Sequence, residues 1–270
     1  MLLEFVRNIQ EIQMQLSDIA YALQHGIDGL GDLWLPERIS ERTQAVLLIH
    51  GGDWATLDKS SLNGVASYLC QKLDMAVYNI NYRLCGLAPW PACGEDSLEA
   101  ADFLLNSNLL ESRSISNDKI WLIGASAGGH LALMTGLRLP SARVAGIISI
   151  SGIASVQKDY AVNPERYKNL FGHPPDDNEL KTLDPVNYLH PSSPAILCTH
   201  ELNDNVVPVC VAEDFIEAAS GLGIAVDNFF YEKGETCYSH RIWIPESSPH
   251  KLYPEIERKI AQFITSKGDF

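Results

Sequence analysis

The sequence predicts an α/β fold with a mostly parallel central sheet and helices on both faces of that sheet. Apolar runs recur between residues 45 and 232, and several are apolar throughout, as strands are when helices cover both faces of a parallel sheet. Helical patterns separate the runs, and such alternation is typical of right-handed β-α-β units. The chain has 270 residues, of which 46% are hydrophobic. We therefore expect residues 1–270 to form a single domain with a buried core.

The predicted elements follow one another in a regular order. An early strand is expected at residues 31–36, antiparallel and at an edge of the sheet. Six later strands are expected at 45–50, 75–82, 119–124, 144–152, 194–200 and 225–232. Helices are expected at 60–73, 94–106, 127–137, 209–220 and 253–266. Each strand that is followed by a helix ends at the same edge of a parallel sheet, where ligands of such folds bind.

Two segments do not fit this alternation. Residues 1–16 carry apolar side chains at spacings of three and four, which predicts an amphipathic helix before the main fold. This helix either packs on the domain surface or serves to cap a pocket or form a dimer.

Residues 158–187 are rich in Pro, Asp, Asn and Tyr, with helical tendency at 165–170 and 178–183. Because long irregular insertions in compact domains are usually functional, we predict a short cap or lid here.

Charge and composition exclude several classes of partner. The net charge of −14 disfavours binding to nucleic acid or to anionic membranes. Glu4 and Arg7 interrupt the first apolar run, so we expect no secretory signal, and no stretch reaches the ~18 apolar residues of a membrane helix. The six cysteines are scattered without a C-x-x-C pair, which favours a reducing, cytoplasmic location. A homodimer remains open.

The sequence GASAG at residues 124–128 is the strongest sign of chemistry. It fits G-x-S-x-G, in which a strand turns abruptly into a helix and exposes a nucleophilic serine, here Ser126. The pentapeptide alone is only moderately specific, but an apolar strand pattern precedes it and a helical pattern follows it. Ser126 is therefore predicted to be a nucleophile rather than a small residue kept for helix packing.

A serine hydroxyl needs a base and an orienting acid, which follow the serine in the order acid, then histidine. His240 lies after the last predicted strand, and we favour it as the base over His250, which precedes the final helix. Asp204 and Glu201 both follow the strand that ends at residue 200. We favour Asp204 as the acid because it lies deeper in the loop.

An oxyanion intermediate requires backbone N–H donors that are already in place. His50, Gly51 and Gly52 follow a predicted strand, and paired glycines let backbone amides approach a ligand closely. The expected donors are Gly51 or Gly52 together with Ala127. The residues predicted to contact the substrate are His50, Asp53 and Trp54. No cofactor is expected, and HELND at 200–204 is not H-E-x-x-H, so no metal is expected either.

Several motifs resemble those of the α/β-hydrolase fold, in particular its hormone-sensitive-lipase-like and small carboxylesterase families, BD-FAE-type and kynurenine formamidase-like. They are HGGDW at 50–54, NYRL at 81–84, PWPACGEDSLEAADFL at 89–104, GASAGGHLAL at 124–133 and HELNDNVVP at 200–208. The chain departs from this pattern at Asp53, at Glu201 and in its short cap. The resemblance implies a serine carboxylester hydrolase that acts on small to medium acyl esters through an acyl-enzyme.

Four other functions stay open beside the carboxylesterase. An arylformamidase acting on N-formylkynurenine is similar in size and in its His-Gly-Gly motif. Acyl-peptide cleavage and deacetylation of sugars use the same chemistry. A function of another class is a non-catalytic small-molecule binding protein on the same fold, resembling the plant gibberellin receptors, but there the histidine is typically lost.

Overall fold

The computed structural model describes residues 14–233, 240–244 and 247–267 and contains an eight-stranded sheet. The strands are β1 (Met14–Ala20), β2 (Leu30–Leu35), β3 (Ala45–Ile49), β4 (Ala76–Ile80), β5 (Ile120–Ala125), β6 (Val144–Ile150), β7 (Ile196–Glu201) and β8 (Val226–Tyr231). Their spatial order is β1-β2-β4-β3-β5-β6-β7-β8. The pairs β1–β2 and β2–β4 are antiparallel, and all the other pairs are parallel. This confirms the predicted fold class.

Helices cover both faces of the sheet, because alternate side chains of the central strands point to opposite faces. The longer helices are α1 (Asn63–Leu73), α2 (Ala92–Asn106), α4 (Ala127–Arg138), α8 (Cys210–Gly221) and α9 (Pro254–Lys267), and α3 (Asn108–Glu111) is a single turn. Val46 and Leu48 of β3 pack with α1 and α9. Leu47 and Ile49 of the same strand pack with α2, α4 and α8. The strand is therefore apolar at every position.

The amino-terminal region corrects two predictions. Residues 1–13 of the expected helix lie outside the described residues, but residues 14–16 belong to β1 and not to a helix. Met14 and Leu16 pair with Leu35 and Leu33, so the ladder to β2 satisfies their backbone groups. The same pairing places β2 inside the sheet. The prediction of an antiparallel strand is right, but its edge position is wrong.

The segment after β6 contains three short helices, α5 (Val156–Tyr160), α6 (Pro164–Phe171) and α7 (Asp177–Leu183). Helix α7 begins with a capping box, in which the Asp176 carboxylate accepts hydrogen bonds from the backbone N–H groups of Asn178 and Glu179. The helical tendency at 165–170 and 178–183 corresponds to α6 and α7. We call residues 156–188 the cap segment; that it works as a lid stays a prediction. Among the described residues, no helix is long and apolar enough to cross a membrane.

Candidate active site

The carboxyl ends of β3, β5, β7 and β8 meet at one edge of the sheet, as the parallel pairing requires. A cavity of about 350 Å³ opens at this edge. Its polar lining includes Ser126, His240 and Gly51, which come from three separate loops. The structure thus gathers distant parts of the chain at the place where the sequence predicts the site.

Ser126 lies at the junction between β5 and α4, in a backbone conformation that side-chain-bearing residues rarely adopt. Its φ is 56° and its ψ is −123°. The Ser126 N–H donates to the carbonyl of Ile150 at 2.9 Å, and the Ser126 carbonyl accepts from the His130 N–H at 3.2 Å. Such strain costs about 1–3 kcal/mol and persists only where surrounding contacts impose it, most often at active sites. The side chain is half-buried and lines the cavity.

The glycines around Ser126 are required by close backbone contacts. A Cβ at Gly124 would lie 2.1 Å from the carbonyl oxygen of Gly128. A Cβ at Gly128 would lie 2.1 Å from the carbonyl oxygen of Ile49. Real Cβ atoms cannot approach so closely, so a larger residue at either position would push β3, β5 and α4 apart. The G-x-S-x-G spacing therefore has a steric cause in this chain.

The loop after β3 places glycine backbone beside the serine. A Cβ at Gly51 would lie 3.0 Å from the Cβ of Ser126. Gly52 has a φ of +96°, and a Cβ there would lie 2.1 Å from the carbonyl oxygen of Thr56. Ala127 is the first residue of α4, where backbone N–H groups have no partner within the helix. Gly51, Gly52 and Ala127 are thus close enough in the fold to offer N–H groups to an anion next to Ser126.

Tyr82 fixes this glycine loop, a role that the sequence analysis missed. Its hydroxyl lies 3.0 Å from the carbonyl oxygen of His50 and 3.1 Å from that of Gly51. Its ring stacks on the His50 ring with centroids 4.2 Å apart. The NYRL motif contains Tyr82, but it indicates only a family resemblance and not this contact.

His240 and Asp204 form a direct pair. The Nδ1 of His240 lies 2.5 Å from Oδ2 of Asp204. The other oxygen, Oδ1, accepts hydrogen bonds from the backbone N–H groups of Val206 and Val207, each at 2.9 Å. The carboxylate is therefore held at both oxygens, and one of them is directed at the imidazole.

The electrostatics of the pair determine which nitrogen of His240 carries the proton. Burial on its own would raise the pKa of Asp204, but hydrogen bonds from His200 and His240 outweigh it and hold the pKa well below its ordinary value. An ionised carboxylate only accepts hydrogen bonds, so Nδ1 of His240 must donate. The remaining nitrogen, Nε2, is buried and has no hydrogen-bond partner among the described residues. In the neutral imidazole whose Nδ1 carries the proton, Nε2 is the nitrogen that can take one.

The two alternative candidates occupy other positions. His250 lines the cavity, but it is exposed and its ring stacks on Trp243 with centroids 5.7 Å apart. Glu201 is fully buried, and its carboxylate accepts from the backbone N–H groups of Lys233 and Arg241. The geometry favours His240 and Asp204 over both.

The three predicted substrate contacts differ in position. Asp53 lines the cavity. His50 and Trp54 are buried, 1% and 0% exposed, and neither lines it. His50 lies behind the glycine loop, and its burial lowers the pKa of its imidazole to about 4. The Trp54 ring packs against His130, because a φ of 57° at Trp54 turns the chain inward after Asp53.

Arg166 of the cap segment is a further lining residue that no sequence motif indicated. Its guanidinium forms ion pairs with Asp53 and with Asp159, each at 2.6 Å. Its Nη2 also donates to the carbonyl of Val206 at 2.8 Å. Arg166 therefore ties the cap segment to the glycine loop and to the loop of Asp204. Two of its partners, Asp53 and Val206, come from separate loops outside the cap segment, so only the folded chain could reveal these contacts.

The rest of the lining is largely apolar and comes from Leu57, Val206, Ile242 and Trp243. Within the described residues, His25, Asp96 and Glu99 form the only group with the spacing of metal ligands. They do not line the cavity, and Asp96 already accepts hydrogen bonds from Nε and Nη2 of Arg83. That the site needs no metal or cofactor stays a prediction.

Comparison with known proteins gives one family match and several partial relatives. The BD-FAE family model matches residues 31–218. An AB hydrolase superfamily protein of Schizosaccharomyces pombe is 34% identical over 86 residues, 32% of this chain and 25% of that protein. Human arylacetamide deacetylase-like 2 is 33% identical over 103 residues, 37% of this chain and 26% of that protein. This chain thus matches only about a quarter of the length of either relative.

Longer matches come at lower identity. The versiconal hemiacetal acetate esterase stcI of Emericella nidulans is 27% identical over 172 residues, 54% of this chain and 56% of that protein. A truncated carbohydrate esterase from gut microbiota superposes with a TM-score of 0.81 at 20% identity, covering 95% of this chain and 97% of that one. The structural likeness shows a shared fold, and the family model spans well over half of the chain. The chain therefore belongs to the BD-FAE family and has the α/β-hydrolase fold.

Proposed function

We propose that this protein is a serine carboxylester hydrolase that cleaves small to medium acyl esters. The observation that carries the proposal is the 2.5 Å contact between His240 Nδ1 and Asp204 Oδ2. It leaves a buried Nε2, which has no hydrogen-bond partner in the described part of the chain, at the cavity that Ser126 also lines. The esterase and deacetylase names of the relatives support the same chemistry.

The reaction follows from the residues at the cavity. His240 Nε2 takes the proton of the Ser126 hydroxyl while Oγ bonds to the ester carbonyl carbon. Backbone N–H groups of Gly51 or Gly52 and of Ala127 stabilise the oxyanion. When the intermediate collapses, His240 returns the proton to the leaving alcohol, and the acyl group stays on Oγ. Water attacks this acyl-enzyme in a second cycle of the same proton transfers, which releases the acid and restores Ser126.

The role of Asp204 in this reaction is electrostatic and positional. It stays ionised because hydrogen bonds hold its pKa low, so it fixes the tautomer of His240 and stabilises the imidazolium that forms when Ser126 attacks. The cavity of about 350 Å³, which Arg166 and Leu57 help to line, suits a short acyl group better than a long chain.

A panel of p-nitrophenyl esters of increasing chain length tests the proposal. Ser126→Ala should lower kcat by at least about 10⁴-fold on every ester that the wild type cleaves. Ser61 also lines the cavity, and its hydroxyl donates to the carbonyl of Asp58. Ser61→Ala is therefore the matched control and should keep its kcat. If Ser126→Ala keeps its activity, the proposal is wrong. If the wild type cleaves no activated ester at all, the non-catalytic binding protein is favoured.

Deacetylation of sugars is the second candidate. Asp53 and Arg166 give the cavity a charged rim, which can hydrogen-bond the hydroxyl groups of a carbohydrate. The structural neighbours that are named as carbohydrate esterases agree with this candidate. Acetylated xylose and N-formylkynurenine should be tested beside the p-nitrophenyl esters, with release of acetate or formate as the readout. A cytoplasmic location and a possible homodimer stay predictions.

A further inference from the structure

A second buried carboxylate lies close to the Asp204–His240 pair and has no role in the reaction described above. Glu201 is the last residue of β7, and its side chain is fully buried. Burying a carboxylate is unfavourable unless its oxygens are hydrogen-bonded, so this group must contribute something that an apolar residue of similar size would not.

Both oxygens of Glu201 bind backbone rather than side chains. Oε1 accepts from the N–H of Lys233 at 3.2 Å, and Oε2 accepts from the N–H of Arg241 at 3.0 Å. Lys233 follows the end of β8, and Arg241 directly follows His240. One carboxylate therefore connects the point where the chain leaves the sheet to the point where it has just passed the candidate base.

Asp204 and Glu201 thus act on different parts of the same histidine. Asp204 contacts the imidazole of His240, whereas Glu201 holds the backbone of the next residue. Glu201 is itself fixed, because β7 pairs with β8 in parallel register and the Leu202 N–H donates to the carbonyl of Tyr231 at 2.7 Å. Through Glu201, the backbone next to His240 is therefore attached directly to the central sheet.

We propose that Glu201 is a positioning residue for His240, which fixes the backbone beside the imidazole at the cavity that Ser126 also lines. Proton transfer depends steeply on geometry, and a displacement of about 1 Å can cost about 10²-fold in rate. The inference rests on the proposed hydrolase function, because it assigns Glu201 to the base of that reaction.

The test replaces Glu201 by the uncharged residue of the same shape. In Glu201→Gln, one oxygen becomes an amide NH₂ that cannot accept a hydrogen bond, so one of the two backbone contacts is lost. We expect kcat for p-nitrophenyl acetate to fall about 10- to 100-fold while KM stays within about twofold. A merely structural role would lower the melting temperature and leave kcat of the folded protein unchanged.

Asp184 is the matched control for the loss of a buried charge. It is also buried, and it accepts from the backbone N–H groups of Gln157 and Val186, each at 3.2 Å. Its position in the cap segment is remote from His240 in sequence, and it does not line the cavity. Asp184→Asn should lower the melting temperature and keep kcat.

Three outcomes decide the inference. If Glu201→Gln keeps wild-type kcat, or changes only KM, the inference is wrong. If Glu201→Gln does not fold, Glu201→Asp is measured instead. This variant keeps the carboxylate, but its side chain is one methylene shorter and cannot reach both backbone N–H groups. An unchanged kcat in Glu201→Asp would again overturn the inference. Failure of the hydrolase proposal gives a different result, because Ser126→Ala would then keep the activity of the wild type.

Discussion

The ion-pair network of Arg166 gives a quantitative prediction about stability. The guanidinium contacts Asp53 and Asp159, and the two carboxylates differ sharply in exposure. The side chain of Asp159 is 0% exposed, whereas that of Asp53 is 51% exposed. Arg166→Met would leave the Asp159 carboxylate buried without its cation, a change that typically costs about 3–5 kcal/mol. Asp53→Asn removes a half-solvated partner and should cost about 0–1 kcal/mol.

Urea denaturation monitored by tryptophan fluorescence measures both free energies of unfolding. Lys168→Met is the control, since Lys168 lies on the same helix and pairs with Glu165 at a largely exposed position; it should change the free energy of unfolding by less than about 1 kcal/mol. Arg166→Met should also lower kcat, because Arg166 holds the carbonyl of Val206, two residues after Asp204. The reasoning is refuted if Arg166→Met and Asp53→Asn destabilise the protein equally.

Two other changes test separate parts of the site, and a third tests the pH dependence of stability at a buried histidine. Asp204→Asn removes the ionised partner of His240 and should lower kcat about 10⁴-fold, with KM little changed, in steady-state ester hydrolysis; a loss below tenfold would contradict this role. Gly52→Ala places a Cβ where φ is +96° and Thr56 O is 2.1 Å away, so the shifted loop should lower kcat about 10²- to 10³-fold; an unchanged kcat would show that this loop does not hold the oxyanion. Burial lowers the pKa of His130 to about 4. The imidazole is therefore protonated in the unfolded chain below about pH 6.5 but stays neutral in the folded protein down to about pH 4. Because protonation favours the unfolded chain, the free energy of unfolding of the wild type should fall by roughly 3 kcal/mol from this site between pH 6.5 and 4. Urea titrations across this pH range should show a smaller fall in the free energy of unfolding for His130→Gln than for the wild type. An equal fall would show that His130 is not its source.

The sequence predicts the parallel core well because β3 and β5 are apolar at every position and their neighbours β4 and β6 carry one polar residue each, Asn79 and Ser149. Five of the six predicted strands from residue 45 onward begin within one residue of the structure's strands, and the sixth, at 194–200, begins two residues early. Helices α2, α4 and α9 also start within two residues of their predicted positions. These segments combine strong periodicity with flanking turn residues, so local pattern and tertiary packing favour the same structure.

The errors lie where tertiary contacts override local pattern. Leu16 fits a helical spacing with the apolar residues before it, but pairing with β2 makes it part of a strand. Trp54 follows His-Gly-Gly and was predicted to face the substrate, yet the positive φ values of Asp53 and Trp54 turn its ring into the core. Tyr82 contacts Gly51, which is 31 positions away in the chain, and Arg166 contacts Asp53, which is 113 positions away; no local motif encodes these contacts.

The proposed hydrolysis depends most directly on a covalent acyl group on one oxygen atom, Ser126 Oγ. The decisive measurement is mass spectrometry of the protein quenched in acid during turnover of p-nitrophenyl acetate. We expect one acetyl group per chain on the peptide that contains Ser126, and more of it in Asp204→Asn if deacylation slows more than acylation. Acetylation confined to another residue, or turnover without any acyl-enzyme on Ser126, would contradict the account.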